Sequence, residues 1–288
     1  MDGLKDEARN TLGRRGLLLA AVLLCMLPLQ LLAQVSNLKA WSLEYNATTA
    51  PSGSINAGYT MPAGSNRMLV LAVAATRTST GTMTPGSASW GGQPMTLTIS
   101  DQGTGDTRPH SWIYTLNEAG IAAASGTVLA VTVPDTDHEF TVVYAAVYQG
   151  VDQSAPIASS QNFNSGTTPN NTVGPFAAAL AIPTNGIGIG IVNLVRNATG
   201  GVTRSISGFA AGWSTASGPA ANPTTHAVDG TYRTNAYLLL STTAGDTTSQ
   251  HAADNAGTNE SMTAIALRPA SFPHDMIHQD GFELQNEI

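Results

Sequence analysis

Apolar residues in this chain come in short runs separated by clusters of Gly, Ser, Thr, Asn and Pro. The clearest runs are 68–76 (MLVLAVAAT), 127–133 (TVLAVTV), 140–148 (FTVVYAAVY), 237–240 (YLLL) and 262–267 (MTAIAL). Several are apolar at consecutive positions, as expected of central strands covered on both faces. Segments 96–100 and 202–207 alternate instead and predict half-exposed strands. The gaps hold turn signals: Pro62-Ala63-Gly64, Gly91-Gly92, Pro134-Asp135, Gly150, Thr184-Asn185-Gly186 and Asp229-Gly230. Helix signals are confined to one or two turns at 118–124 (EAGIAAA). No internal repeat of about 20 to 50 residues is evident.

The pattern predicts roughly 12 to 15 strands in an all-β, two-sheet, jelly-roll-like (concanavalin-like) sandwich over residues 34–270. Two smaller sandwiches divided near 159–172 are the alternative. Gly186-Ile187-Gly188-Ile189-Gly190-Ile191 has the spacing of a phosphate loop but lacks a following helix. It predicts a strand with isoleucines inward and glycines on the other face, where a neighbour packs closely.

The first 33 residues differ from this pattern. Arg14-Arg15 precede the apolar stretch 17–33, which contains Pro28 and ends at Ala33. A basic segment, an apolar segment and a small terminal residue predict a cleavable export signal, with no membrane span after cleavage. A twin-arginine route is an alternative, from Arg14-Arg15. Cys25 is the only cysteine and lies within the signal, so the mature chain has no thiol to staple it. Residues 271–288 carry Asp275, Asp280, Glu283 and Glu287 with no Lys or Arg, and read as an acidic tail.

Charge narrows the function classes. Lys and Arg number 12 against 19 Asp and Glu, a net charge of −7, and only 11% of residues are charged. No basic cluster exists to neutralise phosphates, which argues against a nucleic-acid partner. A surface rich in Thr, Ser, Asn and Gly favours neutral glycans or cell-surface components over ionic partners.

Candidate chemistry is sparse. Asp135, Asp137 and Glu139 alternate, so on an extended strand their side chains share one face, about 6.5–7 Å apart between neighbours. That spacing suits a calcium site or the carboxylates of a glycosidase. Pro134 and Asp135 follow one predicted strand and Phe140 starts another, so a solvated hairpin turn is the simplest reading. Asp101-Gln102-Gly103-Thr104-Gly105-Asp106 is a second acidic loop, readable as oxygen ligands for calcium or, more simply, as a plain flexible loop. No other cofactor is implied. There is no Gly-x-Ser-x-Gly elbow, and the six histidines are scattered. His274 and His278 have zinc-compatible spacing only within the polar tail. Sugars are held by aromatic platforms, for which Trp41, Trp90, Trp213 and Tyr232 are the candidates; Trp112 lies within a strand and reads as core.

Five segments in order carry a resemblance: Gly64-Ser65-Asn66-Arg67-Met68-Leu69-Val70, Trp90-Gly91-Gly92-Gln93-Pro94-Met95-Thr96, Trp112-Ile113-Tyr114, Gly150-Val151-Asp152-Gln153 with Pro156, and Ala264-Ile265-Ala266-Leu267-Arg268-Pro269. Together they resemble a recurrent exported bacterial module that is similar to a lectin-like β-sandwich. The resemblance covers about 36–269, implies the fold and location, and transfers no catalytic residue. The motif also has local physical roles. Asn66-Arg67 ends a loop before a buried strand, Gly91-Gly92 makes a tight turn, and Asp152 bonds nearby backbone N–H groups. Residues 277–283 (IHQDGFE) resemble a short ending found on exported proteobacterial proteins, which implies a sorting tag.

The resulting expectation is an exported, non-enzymatic surface or extracellular binding or adhesion module, with glycans as the favoured ligand. A secreted carbohydrate-active enzyme and a structural envelope protein are the alternatives.

Overall fold

The computed structural model describes residues 34–47, 54–77, 83–101, 109–133, 137–164, 180–197, 206–207, 213–215, 224–228, 232–242, 244–247, 252–253 and 258–270. The expected export signal at 1–33 and the tail at 271–288 lie outside these. Val35–Ala270 forms one compact unit, almost entirely of strands.

Its first half contains β1 (Ser36–Ala47), β2 (Ser54–Gly58), β3 (Met68–Arg77), β4 (Ala88–Trp90), β5 (Gln93–Pro94) and β6 (Thr96–Ser100). It continues with β7 (Pro109–Asn117), the helix α1 (Glu118–Ala123), β8 (Val128–Thr132) and β9 (His138–Gln149). The second half contains β10 (Ile157–Asn164), β11 (Leu180–Ile182), β12 (Ile187–Asn197), β13 (Ile206–Ser207) and β14 (Trp213–Thr215). After it come β15 (Thr224–Val228), β16 (Tyr232–Ser241), β17 (Gly245–Thr247), β18 (Ala252–Ala253) and β19 (Thr258–Leu267).

The long runs of the sequence become the centres of two antiparallel sheets, ordered β1-β9-β3-β7-β6 and β10-β19-β12-β16-β14, with β15 also on β16. These sheets face each other. Between them lie Met68, Val70, Ala72, Ile113 and Tyr148 from one side and Ile187, Ile189, Ile191, Leu238 and Leu267 from the other. The expected two-sheet sandwich is therefore the middle of a deeper stack. A sheet ordered β2-β8-β4-β5 covers the outer face of the first sheet, through Ile55, Leu129 and Trp90 against Leu69, Leu71 and Trp112. The pair β11-β17 contributes Leu180 and Ile182 to the outer face of the second sheet, against Val192, Met262 and Ala264. Every residue of β3 from Met68 to Thr76 is buried, because both of its faces are covered.

The two halves repeat one plan. In each, the first strand pairs the last, the last pairs the strand after the Asn turn, and that strand pairs a fourth from later in the half: β1-β9-β3-β7 against β10-β19-β12-β16. The registers agree as well. Met68 lies opposite Tyr148 and Asn117, and Ile187 opposite Leu267 while Gly188 lies opposite Ser241. Asn66 (φ 51°) and Asn185 (φ 62°), each two residues before its strand, are the only described non-glycine residues with left-handed backbone. The glycine–isoleucine segment adopts the strand expected of it. Ile187, Ile189 and Ile191 face the central core, and a Cβ on Gly188 would sit 2.6 Å from Ile182 Cδ1 and 3.1 Å from the Trp213 ring.

Candidate functional site

At one end of the first sheet the chain reaches β3 through Asn66-Arg67. Arg67 is clasped by Glu118, the first residue of α1. Its Nε lies 3.1 and 3.0 Å from the two carboxylate oxygens, its Nη2 also donates to Oε1, and its backbone N–H donates to Oε2 at 2.7 Å. Arg67 Nη1 donates to Pro62 O at 2.9 Å. Gln153 closes the arrangement. Its Oε1 accepts from Glu118 N at 2.8 Å, and its Nε2 donates to Val151 O at 3.0 Å and Arg67 O at 3.3 Å. The bond to the Arg67 guanidinium holds the Glu118 carboxyl below its ordinary range, and the same bond raises Arg67. Asp152 Oδ1 accepts from Ser154 N (2.8 Å), Ser154 Oγ (2.7 Å) and Ala155 N (3.3 Å), as expected of a turn-fixing aspartate, and these bonds lower its pKa. Two of the segments that carry the lectin-like resemblance thus serve a structural clasp or its neighbouring turn.

The clasp braces an open groove of about 500 Å³ along the edge strand β6. Asn117, next to Glu118, and Pro156, just after Gln153, both line it. The other walls include Gln93, Thr96, Thr98 and Thr115, with Leu97 on the rim at 41% exposure. Thr98 and Thr115 hydroxyls are bonded to each other at 2.9 Å, and Asn117 Oδ1 caps α1 by accepting from Gly120 N. Among the described residues, no charged side chain lines the groove. Sequence reasoning missed it: Gln93, Pro94, Thr96 and Pro156 lie in segments that carry the resemblance, but these are separate stretches that only the fold brings together.

The predicted aromatics are elsewhere. Trp41, Trp90 and Trp213 are 4%, 5% and 5% exposed, so none offers a platform to a sugar. Rings of this size fill space between packed strands and layers, which flanking residues alone do not reveal. Trp41 Nε1 donates to Tyr148 Oη at 2.7 Å, and Trp90 Nε1 to Tyr59 O at 2.8 Å. Trp213 fills the space left by Gly188. Trp112 is core, as expected. Tyr232 begins β16, and its side chain lies outside the described residues.

Of the three alternating carboxylates, Asp135 lies outside the described residues, as does the Glu139 side chain in β9. Asp137 Oδ2 accepts from Arg77 Nη2 at 3.0 Å. That ion pair ties the start of β9 to the end of β3, and gives the carboxylate a structural occupation. Among the described residues, no group of three or more His, Cys, Asp or Glu is placed to hold a metal.

The end of the sheet opposite the Arg67 clasp, near Arg77, buries a polar group that the sequence did not announce. His110, fully buried, stacks on Trp112 at 6.4 Å between ring centres and 8° between planes. Its Nδ1 lies 3.7 Å from Asp101 Oδ2, while Asp101 Oδ1 accepts from Ser111 N at 3.0 Å. Ser111 Oγ is 2.6 Å from Ser261 Oγ in the facing sheet. Asn193 Nδ2 crosses between the sheets to Ala75 O (2.9 Å), Thr76 Oγ1 (3.1 Å) and His110 O (3.2 Å). Ser, His and Asp are neighbours here, but not as a nucleophile and its base. Strand alternation turns Ser111 toward the central core and His110, with Trp112, toward the outer one.

No family model matches the chain, and no curated protein or solved structure matches it either.

Proposed function

We propose that this chain is an exported, non-enzymatic β-sandwich that works at the cell surface or outside the cell as a binding or adhesion module for neutral glycans. The observation that carries this is the groove along β6: about 500 Å³, walled by Gln93, Thr96, Thr98, Thr115 and Asn117, with no charged side chain among its described lining residues. Hydroxyl and amide side chains beside an apolar rim at Leu97 and Pro94 suit a polyhydroxylated, uncharged ligand, and the volume is in the usual range for ligand sites, roughly 300–1,000 Å³. The enzyme alternative has less in its favour, because Asp137 is held by Arg77.

Each half also reads as a jelly roll. An eight-strand jelly roll places its first, eighth, third and sixth strands in one sheet and its second, seventh, fourth and fifth in the other. The orders β1-β9-β3-β7 and β2-β8-β4-β5 support that reading for the first half, with β6 as an extra edge strand. The order β10-β19-β12-β16 with the pair β11-β17 supports it for the second.

The test is a glycan array probed with the chain from residue 34. Retention of one class of neutral oligosaccharide is expected, with little dependence on salt. Thr98→Arg, which fills the groove with a charged side chain, is expected to weaken retention tenfold or more while leaving the melting temperature nearly unchanged. An array without retention, or binding indifferent to Thr98→Arg, overturns the proposal. Export is tested separately: secreted material that still begins at Met1 contradicts cleavage at Ala33.

A further inference from the structure

We infer that the two halves are two copies of one folding unit, and that the inner face of each is an interface for a second copy of that unit, so that the chain is a covalently fused dimer. Three independent observations agree. The first is strand order and register, which match between β1-β9-β3-β7 and β10-β19-β12-β16.

The second is the side each residue takes. Positions equivalent by register face the same way in both halves. Met68, Val70 and Ala72 face the shared core as do Ile187, Ile189 and Ile191. On β7 and β16, Ile113 and Leu238 face inward while Trp112 and Tyr237 face outward. On β9 and β19, Tyr148 and Leu267 face inward while Val147 and Ala266 face outward.

The third is the turn before the equivalent strand. Asn66 (φ 51°) and Asn185 (φ 62°) both take left-handed backbone, two residues before β3 and β12 respectively. Two copies of one unit packed through the same face form the kind of interface that identical subunits make about a two-fold axis. A single continuous sandwich has no reason to repeat its register, its facing pattern and its left-handed Asn.

The boundary falls at the short connection 150–156, where Ser154 is exposed. A protease site inserted between Ser154 and Ala155 lets the folded chain be cut after it has formed, so failure to fold does not confound the result. The expected product is a one-to-one complex of the two pieces by native mass spectrometry. Its circular dichroism is unchanged, and its melting temperature rises with concentration, as for a dimer. A second site between Ser125 and Gly126, inside the first half, serves as the comparison. Ile113→Ala and Leu238→Ala occupy equivalent inner positions, and each is expected to weaken association of the boundary-cut pieces by roughly thirtyfold or more. A boundary-cut chain that unfolds as readily as the internally cut one overturns the inference. So does a pair of substitutions of which only one matters.

Discussion

The outer face of β3 carries Leu69, Leu71, Val73 and Ala75, whereas the same places on β12 carry Gly188, Gly190, Val192 and Leu194. The backbones and pairings agree, yet the side-chain volume is distributed differently. In the first half the strand supplies its own leucines to the layer above it. In the second, other elements fill the space over Gly188: Ile182 from the outer pair and the Trp213 ring from β14 of the same sheet. Close packing constrains the volume to be filled, and leaves open which residues provide it. Two units can thus keep one architecture after their residues have diverged.

Breaking the two faces in opposite ways gives the largest expected effects. Leu69→Ala removes atoms from a wholly buried site and is expected to cost about 2–5 kcal/mol in urea melts. At the equivalent place, Gly188→Ala adds atoms against Ile182 and Trp213 and is expected to cost about 1–3 kcal/mol. If Gly188→Ala proves neutral, Trp213 does not fill that space tightly.

The inner faces differ at one informative place, where Asn193 stands on β12 and Ala74 at the matching position of β3. Asn193→Ala is expected to cost about 1–3 kcal/mol, chiefly by removing the donor that Ala75 O and His110 O share at the centre of the stack. Thermal melts report it, and a cost near zero would mean that the bridge adds nothing to holding the sheets together.

The smallest effect sharpens the difference between the turns. Asn66 is followed by Arg67 with its Glu118 clasp, whereas Asn185 is followed by Gly186, which has no side chain to make one. The folded-state pKa of Glu118 is depressed, so its contribution is fully present above its ordinary value of 4.5 and is lost as pH falls through the lowered folded value. Arg67→Ala is expected to reduce stability by no more than about 1 kcal/mol near neutral pH, since the pair is partly exposed, and to flatten the acid limb of a pH–stability curve. An unchanged acid limb would assign the acid sensitivity to other carboxylates.

Much of the local structure was legible from residue order. The run at 68–76 could be read as a strand covered on both faces because burial of both faces demands apolar residues at consecutive positions. Gly91 and Gly92 take φ of 54° and 79°, the left-handed backbone their pairing predicts. Ile187, Ile189 and Ile191 point inward with Gly188 and Gly190 between them, as period-two alternation requires. Asp152 fixes its own turn, a contact that spans only two or three residues.

What escaped depends on contacts between distant stretches. The tryptophans look like sugar platforms in one dimension, and only the layers above and below them bury the rings. The groove needs β6, β7 and the segment after Gln153 to converge. His110 became a buried neighbour of Asp101 only through the β6–β7 pairing. The doubling of the fold was hidden for a similar reason. Met68 and Ile187, or Trp112 and Tyr237, share a place without sharing a residue, so no repeat shows in the letters. Strand identity was determined by the sequence alone, because it follows from the side-chain periodicity of a few adjacent residues. Which strands pair, which faces meet and where a polar group is enclosed were decided by the tertiary structure, because those depend on packing between segments far apart in the chain.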